Sequence, residues 1–429
     1  MSLPLIGLTG FIMTLVLIGL GFPVAISMAV IGLAGIALSG ALDQAAYVLS
    51  TAPFESIFPY SFSVIPLFVL MGVFAAHAGL SRSLFDVINA FVGHWRGGLA
   101  VSTVGASAVF GAICGSSLAT VATIGRVAMP EMRRYDYDDS LSAAAVAAGG
   151  TLGVLIPPSI ILVIFGLLTQ TSIGALFMGA IIPGILGTVL YALAVMLRVR
   201  RRPSLAPAGQ RVDWGRRFAL LSAVWPVVLL FGLVIGGMQL GWFSPTEAAA
   251  VGASGAFLLA LVMGGLNRGV MRGIVRETAA LTGMIFLILI GAAFFNFFLE
   301  TTGLPMMLAE LIGGSDIHPT LVMILILLFY VVLGCFMDSM SMVLLTVPLL
   351  APVAIAMEYD MVWFGVLVVT VAEIGLITPP VGMNLFVVQA TAPGLKQETV
   401  IRGILPFITA DVLRLALLLI FPWLVWSGL

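Results

Sequence analysis

Long apolar runs separated by short polar segments follow one another along nearly the whole chain. A helix needs ~20 apolar residues to cross the hydrocarbon layer at ~1.5 Å per residue, so these runs predict membrane-spanning helices. The predicted spans cover residues 5–20, 23–39, 61–79, 175–197, 218–238, 246–266, 279–299 and 404–426. Residues 41–60 are mixed in polarity and are expected at the membrane interface, and the amphipathic residues 81–95 predict a connecting arm on its surface.

Residues 98–133 form an apolar segment of another kind, because arginines bound it on both sides and small and hydroxyl residues fill its centre. Each arm offers only ~15 to 17 residues, which is too short for a crossing but suits a re-entrant hairpin with both ends on one side. The central run is GAICGSSLATVATIG, and the tip is predicted at residues 114–117. Unwound carbonyls and hydroxyls at such a tip can coordinate a cation, and a helix N-terminus there can receive an anion. Close helix packing would also explain the small residues.

The same features return 222 to 223 residues later, since Gly334 corresponds to Gly111 and GLITPPV at residues 375–381 corresponds to GVLIPPS at 153–159. Both diprolines lie near the centre of an apolar run and must interrupt its hydrogen bonds. The sequence therefore predicts a duplication. Each repeat contains one hairpin, at residues 98–133 or 319–357, and one proline-broken helix, at residues 141–169 or 361–392.

Composition and charge place these elements in a lipid bilayer. Hydrophobic residues make up 61% of the chain and charged residues 9%, which excludes a soluble domain and gives no basis for a nucleic-acid partner. With a periplasmic N-terminus, alternating spans put the basic residues on the cytoplasmic side, apart from Arg414, as the positive-inside rule requires. The first hairpin then enters from the cytoplasm and the second from the periplasm, so the repeats are predicted to be inverted.

The predicted fold class is an all-α polytopic membrane protein with inverted repeats, each holding a re-entrant hairpin and a proline-broken transmembrane helix, as in elevator-type ion transporters. The predicted units are N-terminal scaffold spans at 1–60, a first repeat at 61–197, an arginine-rich cytoplasmic linker at 198–217, scaffold spans at 218–278 and a second repeat at 279–429. No metal-ligand spacing, nucleophile with a base or phosphate-binding loop is present, so we expect no enzyme and no metal beyond sodium.

Four segments carry a resemblance to a known family: GAICGSSLATVATIGRVAMPEM, AAAVAAGGTLGVLIPPSI, MDSMSMVLLTVPLLAPV and ITPPVGMNLFVV. They resemble the large membrane subunit of tripartite ATP-independent periplasmic (TRAP) transporters. The resemblance implies a bacterial inner-membrane importer that couples a small organic anion, such as a C4-dicarboxylate or a sugar acid, to sodium ions. It also implies two partners, a small membrane subunit and a periplasmic solute-binding protein. Because the 429 residues begin directly at the first span, we expect the small subunit to be a separate chain.

The resemblance further implies the site residues. One sodium site is expected at Ser116, Ser117, Gly150, Gly153 and Pro157. The other sodium site is expected at Asp338, Ser339, Gly375, Thr378 and Pro379. The substrate is expected between the tips, near Ser117, Pro158, Ser339, Pro380 and Asn384.

The sequence leaves open the roles of some ionisable residues and the choice between some functions. Glu373 can serve the site or form a structural hydrogen bond. Asp338 at the second tip can hold an ion or substrate, whereas Asp411 and Arg414 are expected to neutralise each other on the last span. The alternative functions are a stand-alone sodium/dicarboxylate symporter of the same architecture and a channel-like pore.

Overall fold

The computed structural model describes residues 2–40, 42–263, 266–314 and 316–425. A predicted segment that includes any other residue lies partly outside the described residues. Helices of the first half are Leu3–Gly19 (α1), Val24–Leu38 (α2), Leu42–Glu55 (α3), Val64–His77 (α4), Leu80–Val92 (α5), Gly98–Cys114 (α6), Ser117–Arg134 (α7), Asp139–Leu155 (α8), Ile160–Thr169 (α9) and Ile173–Arg201 (α10). Helices of the second half are Trp214–Leu221 (α11), Trp225–Phe231 (α12), Gly237–Gln239 (α13), Pro245–Val262 (α14), Arg268–Thr302 (α15), Leu304–Gly313 (α16), Pro319–Gly334 (α17), Ser339–Ala356 (α18), Met361–Ile377 (α19), Met383–Thr391 (α20) and Gln397–Ile420 (α21). Across these ranges the only β-type pairing is an isolated bridge between Arg96 and Ala208.

Among the described residues, six helices are long and apolar enough to cross a membrane, or up to eight if each of two bent helix pairs counts as one span. The all-helical membrane architecture predicted from the sequence is confirmed. The inverted relation of the two halves stays a prediction.

The predicted span at 218–238 is not one continuous helix. A bend of 43° separates Trp214–Leu221 from Trp225–Gln239, and a π-helical segment at Gly232–Gly236 joins α12 to α13. Pro226 explains the interruption, because it has no N–H to continue the hydrogen bonding of α11 and is tolerated only in the first turn of a new helix.

Other helix boundaries also differ from the sequence prediction. Helix α10 continues to Arg201 and α11 begins at Trp214, so both ends of the predicted linker at 198–217 are helical. Helix α15 has 35 residues and extends beyond both ends of the predicted span at 279–299. Residues 41–60, which are expected to be mixed in polarity and at the interface, contain the helix α3.

Each half places a hairpin before its broken helix, and the two halves repeat several contacts. Each broken helix starts at an aspartate cap, where Asp138 accepts from the N–H of Ser140 and Asp360 accepts from the N–H of Trp363. The first hairpin arm of each half packs on the broken helix of the same half, α6 on α8 and α17 on α19. The second arm of each half packs on both halves, α7 on α8 and α20 and α18 on α19 and α9. The contacts of α7 with α20 and of α18 with α9 interlock the halves around both hairpin tips.

The arms and the broken helices meet at glycine pairs. A Cβ atom on Gly153 would lie 2.1 Å from the Cα of Gly111, and one on Gly375 would lie 2.4 Å from the Cα of Gly334. Real carbon atoms do not approach this closely, so both contacts require glycine on each helix. Small residues of this kind let membrane helices pack backbone against backbone.

Candidate functional site

The first hairpin turns where the sequence places its tip. Helix α6 ends at Cys114, and Gly115 adopts a left-handed conformation with φ +65°, which glycine reaches without strain. Ser116 then caps α7 by accepting from the N–H of Ala119 at 3.4 Å. The chain therefore leaves one helix and starts the next within two residues, at the predicted tip.

The second tip occupies residues 335–338 between α17 and α18. Asp338 caps α18, and its carboxylate accepts from the N–H of Ser341 at 3.0 Å and from the Ser341 hydroxyl at 2.5 Å. The cap residues Ser116 and Asp338 are related by the offset of 222, so Ser117 and Ser339 are equivalent first residues of the second hairpin arms.

Each tip lies against the break of its own half. Gly115 faces Ile160, the first residue after the first break. At the second tip, the carbonyl of Cys335 accepts from the N–H of Gly382 at 3.2 Å, and its thiol donates to the carbonyl of Pro379 at 3.7 Å. Both diprolines are joined by cis peptide bonds. Each tip therefore contacts the break of its own half, and we call these two units the tip-plus-break assemblies.

Glu373 connects the two tips. The Ser117 hydroxyl donates to its Oε2 atom, and the Ser339 hydroxyl donates to its Oε1 atom at 2.8 Å. The side chain is only 1% exposed and lies beside the N-terminal ends of α7 and α18, whose dipoles favour a negative charge. The carboxylate that the sequence left open between function and structure therefore lies where the hairpins meet.

A cavity of about 230 Å³ opens beside these groups. Its described lining includes three carboxylates, Glu277, Asp338 and Glu373, and no lysine, arginine or histidine. Sequence reasoning missed Glu277, because it lies two residues before the predicted span at 279–299. Within α15, however, it lies well inside the helix and one turn from Leu281, which also lines the cavity.

The structure distributes the sequence-predicted site residues over the tips, the breaks and the packing behind them. Ser116, Ser117, Asp338 and Ser339 line the cavity. Gly153 and Gly375 form the glycine contacts described above, and a Cβ on Gly150 would lie 3.1 Å from the Ser117 carbonyl. Pro157 and Pro379 form the breaks, and the hydroxyl of Thr378 donates to the carbonyl of Ile374 at 2.7 Å. Their role in sodium binding stays a prediction.

Three residues that were predicted near the substrate lie away from the described cavity lining. Pro158 lines a separate small cavity with Met71 and Ile113, and Pro380 is exposed. Asn384 is buried and its amide donates to the carbonyl of Ala147 at 3.1 Å, which ties α20 to α8. Contact of these three residues with substrate stays a prediction.

A second buried polar cluster holds three other helices together. Arg414 and Asp411 form the expected ion pair at 2.8 Å, and each side chain is 1% exposed. The Tyr191 hydroxyl donates to Asp411 at 2.5 Å and lies 3.3 Å from the hydroxyl of Thr151. The cluster therefore connects α21 to α10 and α8.

Two hairpins that meet at a shared cavity, each beside a proline-broken helix and surrounded by membrane-length helices, define a secondary transporter. Residues 11–424 match the family described as the tripartite ATP-independent periplasmic transporter, DctM component, and the chain belongs to this family. It is therefore a large permease subunit of a transporter and not an enzyme.

Relatives named for different substrates are similar to this chain. The chain is 35% identical over 372 residues to the C4-dicarboxylate TRAP transporter large permease protein DctM of Pseudomonas aeruginosa, covering 86% of each chain. It is 34% identical over 417 residues to the ectoine TRAP transporter large permease protein TeaC of Halomonas elongata, covering 96% of each. Among solved structures, the YdaH transporter of Alcanivorax borkumensis superposes with a TM-score of 0.62 at 16% identity over 90% of each chain, which shows a shared fold.

Proposed function

We propose that this chain imports a small organic anion across the bacterial inner membrane by sodium-coupled secondary transport. The observation that carries the proposal is the charge of the central cavity, whose described lining has three carboxylates and no cationic side chain. An anionic substrate there needs positive charge from another source, because an uncompensated charge inside a membrane protein is costly. Bound sodium ions and the helix N-termini at the two tips supply that charge.

The tip-plus-break assemblies are the proposed sodium sites. We assign one site to Ser116, Ser117, Gly150, Gly153 and Pro157, and the other site to Asp338, Ser339, Gly375, Thr378 and Pro379. Hydroxyls, carbonyls and a carboxylate are hard oxygen ligands of the kind that such cations take. The Thr378 hydroxyl supports this assignment, because it gives its hydrogen to Ile374 and keeps its lone pairs for another partner.

The transport step is an elevator-type movement of the hairpins and broken helices against the remaining helices. Support comes from the packing, since α14 and α15 pack on α4, and α15 on α2, more extensively than α4 packs on the hairpin arm α6 or α15 packs on the arm α18. In the proposed topology the N-terminus is periplasmic and the two hairpins enter from opposite sides. Each tip then faces one solution in turn.

The proposed partners are a small membrane subunit, which steadies the scaffold, and a periplasmic solute-binding protein, which delivers the substrate. The proposed cargo is a small carboxylate of the C4-dicarboxylate or sugar-acid type. The names of similarly related proteins include both C4-dicarboxylates and ectoine, which supports assigning the choice of cargo mainly to the binding protein.

The test is uptake into proteoliposomes that contain the chain, its small subunit and the binding protein. Uptake is expected in sodium and is expected to vanish when potassium replaces sodium. Thr378→Ala should raise the sodium concentration for half-maximal uptake, because it removes one hard oxygen. Thr370→Val is the matched control, since its hydroxyl lies on the same helix and donates within that helix to Val366. Equal uptake in potassium contradicts sodium coupling, and full uptake without binding protein favours the stand-alone symporter.

A further inference from the structure

Two equivalent hydroxyls of the repeats share a single acceptor. Ser117 and Ser339 each begin the second arm of a hairpin and are related by the offset of 222. Both donate to the carboxylate of Glu373 on α19. The same offset places Thr151 on α8 at the position of Glu373, but the Thr151 hydroxyl contacts Ala148 and Tyr191 instead. One half therefore supplies the carboxylate that serves both tips.

The direction of these hydrogen bonds determines what each serine offers to other neighbours. A hydroxyl has one hydrogen and two lone pairs, and an ionised carboxylate only accepts. When the Ser117 and Ser339 hydroxyls donate their hydrogen bonds to Glu373, their oxygens have only lone pairs left to present to the cavity that both residues line. An oxygen held in this way is a ready ligand for a cation. Partners that fix ligand orientation from behind are a general feature of metal sites.

We infer that Glu373 is a positioning residue shared by both sodium sites, because it holds the Ser117 and Ser339 hydroxyls in the orientation that binds cations. The inference rests on the proposed sodium coupling. Its consequence is that the two sites are not independent. A change at either serine alters the carboxylate on which the other serine depends.

Glutamine at this position makes a sharp test, because it has nearly the same shape but a different hydrogen-bonding pattern. Its amide keeps one acceptor oxygen and replaces the other with a donor. One serine must then accept a hydrogen bond and turn its own hydrogen toward the ion. Loss of such an orienting partner typically lowers metal affinity by about 10- to 100-fold.

The experiment measures binding of radioactive sodium to the purified membrane complex, without transport. Glu373→Gln should raise the half-saturating sodium concentration by about 10- to 100-fold. Thr151→Val is the matched control, since it changes the equivalent residue of the other repeat and should leave sodium affinity unchanged. Thermal unfolding in potassium shows that the variants are folded.

A second measurement does not need the Glu373 variant. Ser117→Ala and Ser339→Ala should each weaken sodium binding, and in the double variant the logarithms of the two effects should not add, because both serines act through one carboxylate. A wild-type complex that binds no sodium contradicts the proposed function itself. A wild-type complex that binds sodium, with unchanged affinity in Glu373→Gln or additive serine effects, overturns only the role of Glu373.

Discussion

The two halves of the molecule share a framework, and the equivalent buried residues Thr151 and Glu373 show how they differ at the site. In both, an aspartate caps the broken helix, a glycine pair joins it to the hairpin, a cis diproline interrupts it and a serine begins the second hairpin arm. The difference is Glu373 in the second half against Thr151 in the first. Glu373 lines the cavity and accepts hydrogen bonds from the serines of both tips, whereas the Thr151 hydroxyl contacts Tyr191.

This difference separates the framework that both halves share from the carboxylate that only one half carries. The shared framework makes two similar tips with hydroxyl oxygens and helix N-termini. The single carboxylate joins these tips, and the equivalent position in the first half instead connects α8 to the cluster of Tyr191, Asp411 and Arg414. One half therefore carries the charge of the site, and the other anchors its broken helix to the peripheral helices.

The largest expected loss of stability comes from breaking the buried ion pair that anchors the first half. Arg414→Met leaves Asp411 as an unpaired buried charge, and breaking a buried ion pair in this way costs about 3–5 kcal/mol. We expect a correspondingly lower temperature of thermal unfolding for the purified protein. The double variant Asp411→Leu with Arg414→Met removes both charges and should recover much of the loss. A single variant as stable as wild type would show that the cluster does not anchor the first half.

A smaller effect tests the shared framework. Gly153→Ala and Gly375→Ala place a methyl group against the backbone of the facing arm, and overpacking of this kind costs about 1–3 kcal/mol. Both variants should lower thermal stability by similar amounts. Gly283→Ala on α15 is the control, because a Cβ there meets nothing within 4 Å and should not lower stability. A large loss in one half alone would mean that the two contacts are not equivalent.

The hairpins and the broken helices could be predicted from the sequence because local features define them. Short apolar arms bounded by arginines predict the first hairpin, and the diprolines predict both helix breaks. The bend within 218–238 was not predicted, because an apolar run hides it and Pro226 also suits a helix start. The position of Glu277 was missed because α15 begins earlier than its apolar core.

The contacts of Glu373 could not be predicted from any local pattern. Its partners are 256 residues away at Ser117 and 34 residues away at Ser339, and only tertiary packing brings them together. The sequence could mark Glu373 as an intramembrane carboxylate, but it could not show that both repeats converge on it. The same holds for the Thr151 and Tyr191 hydroxyls beside the predicted pair of Asp411 and Arg414.

We propose that the two tips serve one cavity and reach opposite solutions in turn. The most direct test labels the native thiols with a membrane-impermeant reagent applied from either side of oriented vesicles. Cys114 lies at the first tip and lines the cavity, and Cys335 lies at the second tip. We predict that Cys335 labels from the periplasmic side in sodium without substrate, and that Cys114 labels from the cytoplasmic side in the inward-facing state. Labelling of both thiols from one side, at rates that do not change with sodium or substrate, would contradict alternating access through the two tips.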